Sequence, residues 1–191
     1  MQSSSKTRAN DHGKPLLRLA RRSIEHGLAT GKPVSVTLQD FHSDLQRPGA
    51  AFVTLHKQQQ LRGCIGNLTA HQPLVNDVAD NAFSAAFRDP RFPAVEALEL
   101  TELHVEISVL TPYEPLEVGS EAELLDLLQP QIDGIVLEEG HYRSTFLPAV
   151  WEQLPDKQQF LQHLKRKAGL PADYWSPSLK IYRYRTISYA E

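Results

Sequence analysis

Leu103-His104-Val105-Glu106-Ile107-Ser108-Val109 alternates between apolar and polar side chains without a break. A period of two puts Leu103, Val105, Ile107 and Val109 on one face of a strand and His104, Glu106 and Ser108 on the other, which predicts a strand half-buried against a core. Upstream, Pro73 opens a helical pattern with Leu74, Val78, Ala82 and Ala85 on one stripe, and Pro90 and Pro93 forbid its continuation. Further upstream, Ala51 to His56 and Leu61 to Ile65 flank the polar Lys57-Gln58-Gln59-Gln60 and predict a hairpin. Val34 to Leu38 reads as a short strand, and a helix is expected from Pro15, through Leu17, Ala20, Ile24 and Leu28, to a stop at Gly31.

Downstream of the alternating strand, Ser120 with Glu123 forms a capping-box signature for a short leucine-rich helix. Asp133 to Leu137 and Tyr142 to Phe146 form a second expected hairpin. Asp156 caps a helix carrying Phe160, Leu161 and Leu164 up to Gly169, and a last strand is expected over Leu179 to Ser188. Hairpins interspersed with helices, without a βαβ rhythm, indicate an α+β fold: a mainly antiparallel sheet flanked by helices.

The chain has 191 residues, 41% hydrophobic and 23% charged, the balance of a soluble globular protein. Residues 1–13 are polar and aperiodic and are expected to form a disordered tail, with residues 14–191 as one domain. The single cysteine, Cys64, rules out an intrachain disulfide and a thiolate zinc cluster. No apolar run is long enough to span a membrane, and the polar start lacks the apolar core of a secretory signal, so a cytoplasmic location is expected. A net charge of -3 argues against a dedicated duplex-DNA binder without excluding a local basic patch, and the stretch between Arg91 and Arg143 holds no Lys or Arg at all. There is no P-loop, no dinucleotide fingerprint and no histidine pair at metal-helix spacing, so no cofactor and no metal is expected.

Two strings can carry chemistry. In Leu61-Arg62-Gly63-Cys64-Ile65-Gly66, Gly63 and Gly66 allow a tight turn and close approach of a ligand, and successive amides in such a turn form an anion-binding nest. A neighbouring guanidinium, here Arg62, favours the thiolate of a cysteine, the form that acts as nucleophile. The opposite reading is a lone cysteine packed as a small hydrophobe. In Arg88-Asp89-Pro90-Arg91-Phe92-Pro93, Arg88 and Arg91 suit a carboxylate or phosphate, or else Asp89 pairs with an arginine to pin the loop. Glu106 is a candidate proton shuttle, and a partner for Cys64 among His56, His71, His104 and His141 is left open. The His104-x-Glu106 spelling of zinc deaminases lacks its Pro-Cys-x-x-Cys partner. Lys180, Tyr182, Arg183, Tyr184 and Arg185 interleave charge and aromatics in a way that suits a single-stranded nucleic acid, or an ordinary strand with one packed side.

These strings, together with Glu106-Ile107-Ser108-Val109-Leu110-Thr111-Pro112, Thr145-Phe146-Leu147-Pro148 and Lys167-Ala168-Gly169-Leu170, occur in the order seen in the AMMECR domain family, which the chain resembles from about residue 15 to the end. Ala149 departs from the family pattern, which has a polar residue there. The resemblance implies an α+β fold of two lobes with the two strings facing a shared cleft. It also implies membership of the AmmeMemoRadiSam system as its protein A, with a Memo-like protein and a radical S-adenosylmethionine protein as partners. The expectation that follows is a cleft protein. In it Cys64 binds or processes a small anionic substrate, Arg62, Gly63, Gly66, Arg88, Asp89 and Arg91 hold that substrate, and Glu106 shuttles a proton. A non-catalytic adaptor for those partners and, more weakly, an RNA-binding or nucleotide-modifying protein are the alternatives.

Overall fold

The computed structural model describes the backbone of residues 4–191 and the side chains of residues 12–191. The tail expected at residues 1–13 falls largely outside the described side chains. Contacts divide the chain into two compact units, one running to Leu110 and resuming at Ile187–Glu191, the other spanning Thr111–Thr186.

The first unit contains helix α1 (Ser4–Thr30), strands β1 (Pro48–Gly49), β2 (Ala51–Lys57), β3 (Gln60–Gly66) and β4 (Gln72–Pro73), helix α2 (Leu74–Phe87) and strand β5 (Leu103–Leu110). The second contains β6 (Glu114–Pro115), helix α3 (Glu121–Leu127), β7 (Gly134–Glu139), β8 (Tyr142–Phe146), helix α4 (Lys157–Ala168) and β9 (Lys180–Tyr184); β10 (Thr186–Ala190) follows. One sheet has the order β10-β5-β2-β3, with β2 antiparallel to both β3 and β5, and a second has the order β6-β9-β7-β8 with antiparallel pairs. β1 and β4 form a separate two-stranded ladder. The protein is therefore α+β with antiparallel sheets.

The alternating segment is β5, and its apolar residues Leu103, Val105 and Ile107 are buried with Val53 and Leu55 of β2 against α1 and α2. Gln58 and Gln59 both take positive φ, 51° and 64°, which is the two-residue turn whose twist matches that of a hairpin. The second core is built on a stack of Trp151 and Phe160, with centroids 3.7 Å apart and planes at 1°, surrounded by Leu124, Ile135, Leu164 and Ile181. The Trp151 indole N–H donates to the Asp133 carbonyl at 2.7 Å, which satisfies the polar edge of a buried ring. No described helix is long and apolar enough to cross a membrane.

Three expectations are corrected. α1 runs through Pro15 instead of starting there, and its buried stripe is Leu16, Leu19, Ala20 and Ile24; burial of that face outweighs the backbone bond that proline cannot make. Residues 33–37 pair with no strand; Val34 and Val36 pack on the core, and the Val34 amide donates to Ser23 Oγ at 3.3 Å. The final strand is two, β9 and β10, in different sheets, and Arg185 at the break donates its amide to Thr111 Oγ1 at 2.8 Å.

Candidate functional site

Residues 61–66 lie in β3, at the edge of the first sheet, so the glycine-flanked cysteine sits in a strand and not in a tight turn. The glycines are there for close approach. A Cβ on Gly63 would lie 2.1 Å from the Ala85 carbonyl oxygen of α2, and one on Gly66 would lie 2.3 Å from the Phe52 ring. Neither distance is tolerable for a side chain, so β3 reaches helix and strand neighbours that any other residue would hold off.

Cross-strand register then decides what surrounds the thiol. Thr54 of β2 faces Cys64 on one side and Glu106 of β5 on the other, so the three form a row across the sheet. That row occupies the face opposite the buried Val53, Leu55, Val105 and Ile107, and all three residues are partly buried. The Thr54 hydroxyl donates to Cys64 Sγ at 3.3 Å. His56 and His104 face each other in the neighbouring rank of the same face, while His71 is exposed in a loop, its Nδ1 3.0 Å from the Thr69 carbonyl. His141 belongs to the second unit, where its ring lies 4.1 Å from that of Tyr142.

Arg62 is not part of the row. Leu55 pairs with Gly63 and His56 with Leu61, which leaves Arg62 as the extra residue of a β-bulge. Bulges re-aim side chains, and here the guanidinium forks onto Glu99 at 3.0 and 2.9 Å and donates to the carbonyls of Pro93 and Ala94 at 2.9 and 3.3 Å. The Arg62 hydrogen bonds, opposed by burial and assisted by the Glu96 amide and Lys57, hold the Glu99 carboxyl down at about 2. The sequence offered no signal for Glu99 beyond its place in an acidic stretch, because its partner is reached only through the bulge.

Asp89 is the second organiser, with its side chain only 2% exposed. It accepts the Cys64 amide at 2.9 Å, the Arg91 amide at 3.1 Å and the Arg91 guanidinium at 2.9 and 2.7 Å. Arg91 Nη2 also donates to the Cys64 carbonyl at 3.1 Å. Both backbone groups of Cys64 on the free edge of β3 are thus paired by side chains of the loop, and the amide expected in an anion nest is already filled by an internal carboxylate. The Arg91 hydrogen bonds, against the cost of burial, hold the Asp89 carboxyl well below the usual carboxylate range. Arg88 remains exposed and lies over the Phe83 ring at 4.9 Å. The structure brings Cys64, Asp89 and Arg91 together and places Glu106 beyond Thr54, a residue that sequence reasoning passed over as one more strand position.

Comparison with known proteins agrees with this architecture. The family model described as AMMECR1 matches residues 17–189. A protein of Methanothermobacter thermautotrophicus is 41% identical over 187 residues, covering 96% of each chain. Protein MJ0810 of Methanocaldococcus jannaschii is 36% identical over 185 residues, covering 95% of this chain and 90% of its own. The crystal structure of uncharacterized protein PH0010 from Pyrococcus horikoshii superposes with a TM-score of 0.81 at 38% identity, over 94% of this chain and 91% of that one. With its ordered strings, its fold and nearly its whole length matched, the chain belongs to the AMMECR1 family.

Proposed function

We propose that the outer face of the first sheet around Cys64 is a substrate site, in which the thiol binds or processes a small anionic substrate. The Cys64–Thr54–Glu106 row carries this reading: it sets a thiol, a hydroxyl bonded to that thiol and a carboxylate side by side on one partly buried sheet face, a set of groups suited to holding a polar substrate and moving a proton to or from it. Arg91, about half exposed at 53%, and the exposed Arg88 offer positive charge to an anionic substrate, while Arg62 and Asp89 are engaged by Glu99 and the Cys64 amide and brace the strand. Iodoacetamide alkylation of the folded protein, followed by mass spectrometry across neutral pH, tests the reading. Cys64 is expected to react faster than a free cysteine, and Thr54→Val to slow it several-fold. A Cys64 that is inert in the native state, or indifferent to Thr54→Val, overturns the reading.

A second reading is favoured by one observation: Arg62 and Asp89, expected to hold substrate, are taken up by internal partners, Arg62 by Glu99 and the Pro93 carbonyl and Asp89 by the Cys64 amide and Arg91. Such braces suit a rigid, non-catalytic adaptor, whose partners by family resemblance are the Memo-like and radical S-adenosylmethionine proteins. Calorimetry with each purified partner decides it; heat of association with at least one supports the adaptor, and none with either removes it.

A further inference from the structure

Away from β3, α1 and the loop after it bring together two imidazoles and a carboxylate. His12 Nε2 lies 3.8 Å from Asp44 Oδ2, and His42 Nδ1 lies 3.4 Å from the same oxygen. One ligand atom from each of the three residues falls within 4.8 Å of the other two, and the imidazole centroids are 5.2 Å apart at a tilt of 47°. Ligand atoms around a tetrahedral metal with bonds near 2.1 Å stand about 3.4 Å apart, so the two nitrogen-to-oxygen separations already match a shared ion to within a few tenths of an ångström.

We infer that His12, His42 and Asp44 form a three-ligand site for a divalent transition metal, zinc being the natural occupant of a two-histidine, one-carboxylate set. The local structure prepares it. Asp44 stands in the turn Ser43–Gln46, and its amide reaches His42 Nδ1 at a long 3.3 Å, a weak bond that coordination of that nitrogen replaces. Arg47 Nη1 lies 3.6 Å from Asp44 Oδ1, which orients the carboxylate with Oδ2 toward both imidazoles. An outer partner of this kind fixes a ligand's direction. Three protein ligands leave a fourth position open. His12 and His42 line a cavity of about 460 Å³ together with Arg18, Arg22 and Asp40. The arginines outnumber the carboxylate, so the open position suits water or a small anion such as phosphate or a carboxylate. In the sequence the ligands are too far apart for any helical metal motif; only the packing of α1 on the loop joins them.

The test is titration of the apo, full-length protein with zinc by calorimetry, and with cobalt(II) by visible absorption. One equivalent is expected to bind, with the intense absorption of a four-coordinate cobalt site. Affinity should fall at least tenfold in His12→Gln and, independently, in Asp44→Asn, and should be unchanged in Cys64→Ser; circular dichroism of each variant confirms the fold. Absence of stoichiometric binding overturns the assignment, as does binding that survives both ligand substitutions or is lost with Cys64→Ser. None of these outcomes bears on the alkylation of Cys64.

Discussion

Asp89 shows how much one side chain can organise. It is almost fully buried and accepts four N–H groups from two residues, so it folds as the anion and gains nothing from protonation. Asp89→Ala leaves the Cys64 amide without its acceptor on a strand edge and should cost roughly 2–3 kcal/mol in urea denaturation, with faster exchange of that amide. Gly63 is constrained in the opposite sense, by absence of a side chain. Gly63→Ala drives a methyl to 2.1 Å from the Ala85 carbonyl and forces β3 away from α2. The expected loss is roughly 1–3 kcal/mol, as for other overpacked sites, with Thr54 and Cys64 resonances shifted in NMR spectra. Both residues stood out in the sequence because glycine and a Pro-flanked Asp are rare enough to mark a position. What they touch did not stand out, since the contact is made by residues from other elements.

At the level of elements, the bulge in β3 decides which side chains face the thiol. By strict alternation Arg62 would share the Cys64 face; the extra residue turns it to the edge, where it locks onto Glu99 in the turn Ala97–Glu99. A one-residue irregularity leaves no trace in hydrophobic periodicity, and for that reason the sequence alone suggested Arg62 as a neighbour of the substrate. The clamp has a pH signature. The Glu99 carboxyl is lowered from 4.5 to about 2 by Arg62, so its contribution is fully present above about 4.5 and is lost as pH falls toward about 2. Asp89 is depressed as well and weakens in the same direction. Denaturation midpoints measured at about pH 2.5 and about pH 5, on either side of most of that window, should therefore differ less in Glu99→Gln, which stays neutral throughout, than in the parent protein; an undiminished acid loss in that variant means the clamp is not a source of it.

Over the whole molecule, two cores divide the chain, one between α1, α2 and the first sheet, the other around Trp151 and Phe160. Phe160→Ala removes the ring stacked at 3.7 Å on Trp151 and should cost roughly 3–5 kcal/mol. Amide exchange is expected to accelerate first in β7 and β9 of that unit. The α+β class, the hairpins and the caps were legible because each is written in a few consecutive residues: Ser120 Oγ does accept the Glu123 amide at 3.2 Å, and Asp156 the Gln159 amide at 2.8 Å. Pairings between distant segments were not, whether Thr54 with Glu106, β10 with β5, or His12 with Asp44. No local period encodes a partner that lies far along the chain.

The position of β10 carries one more consequence. It belongs to the first sheet, yet it follows all of Thr111–Thr186 in the chain. A ribosome adding ~5–20 residues per second needs roughly 4–15 s to translate that span. For that interval the emerging first sheet has three strands, with β5 as a bare border, its outer amides and carbonyls open to any extended peptide nearby. Nascent chains stalled within the second unit should thus be the species that recruit chaperones or pair wrongly with one another.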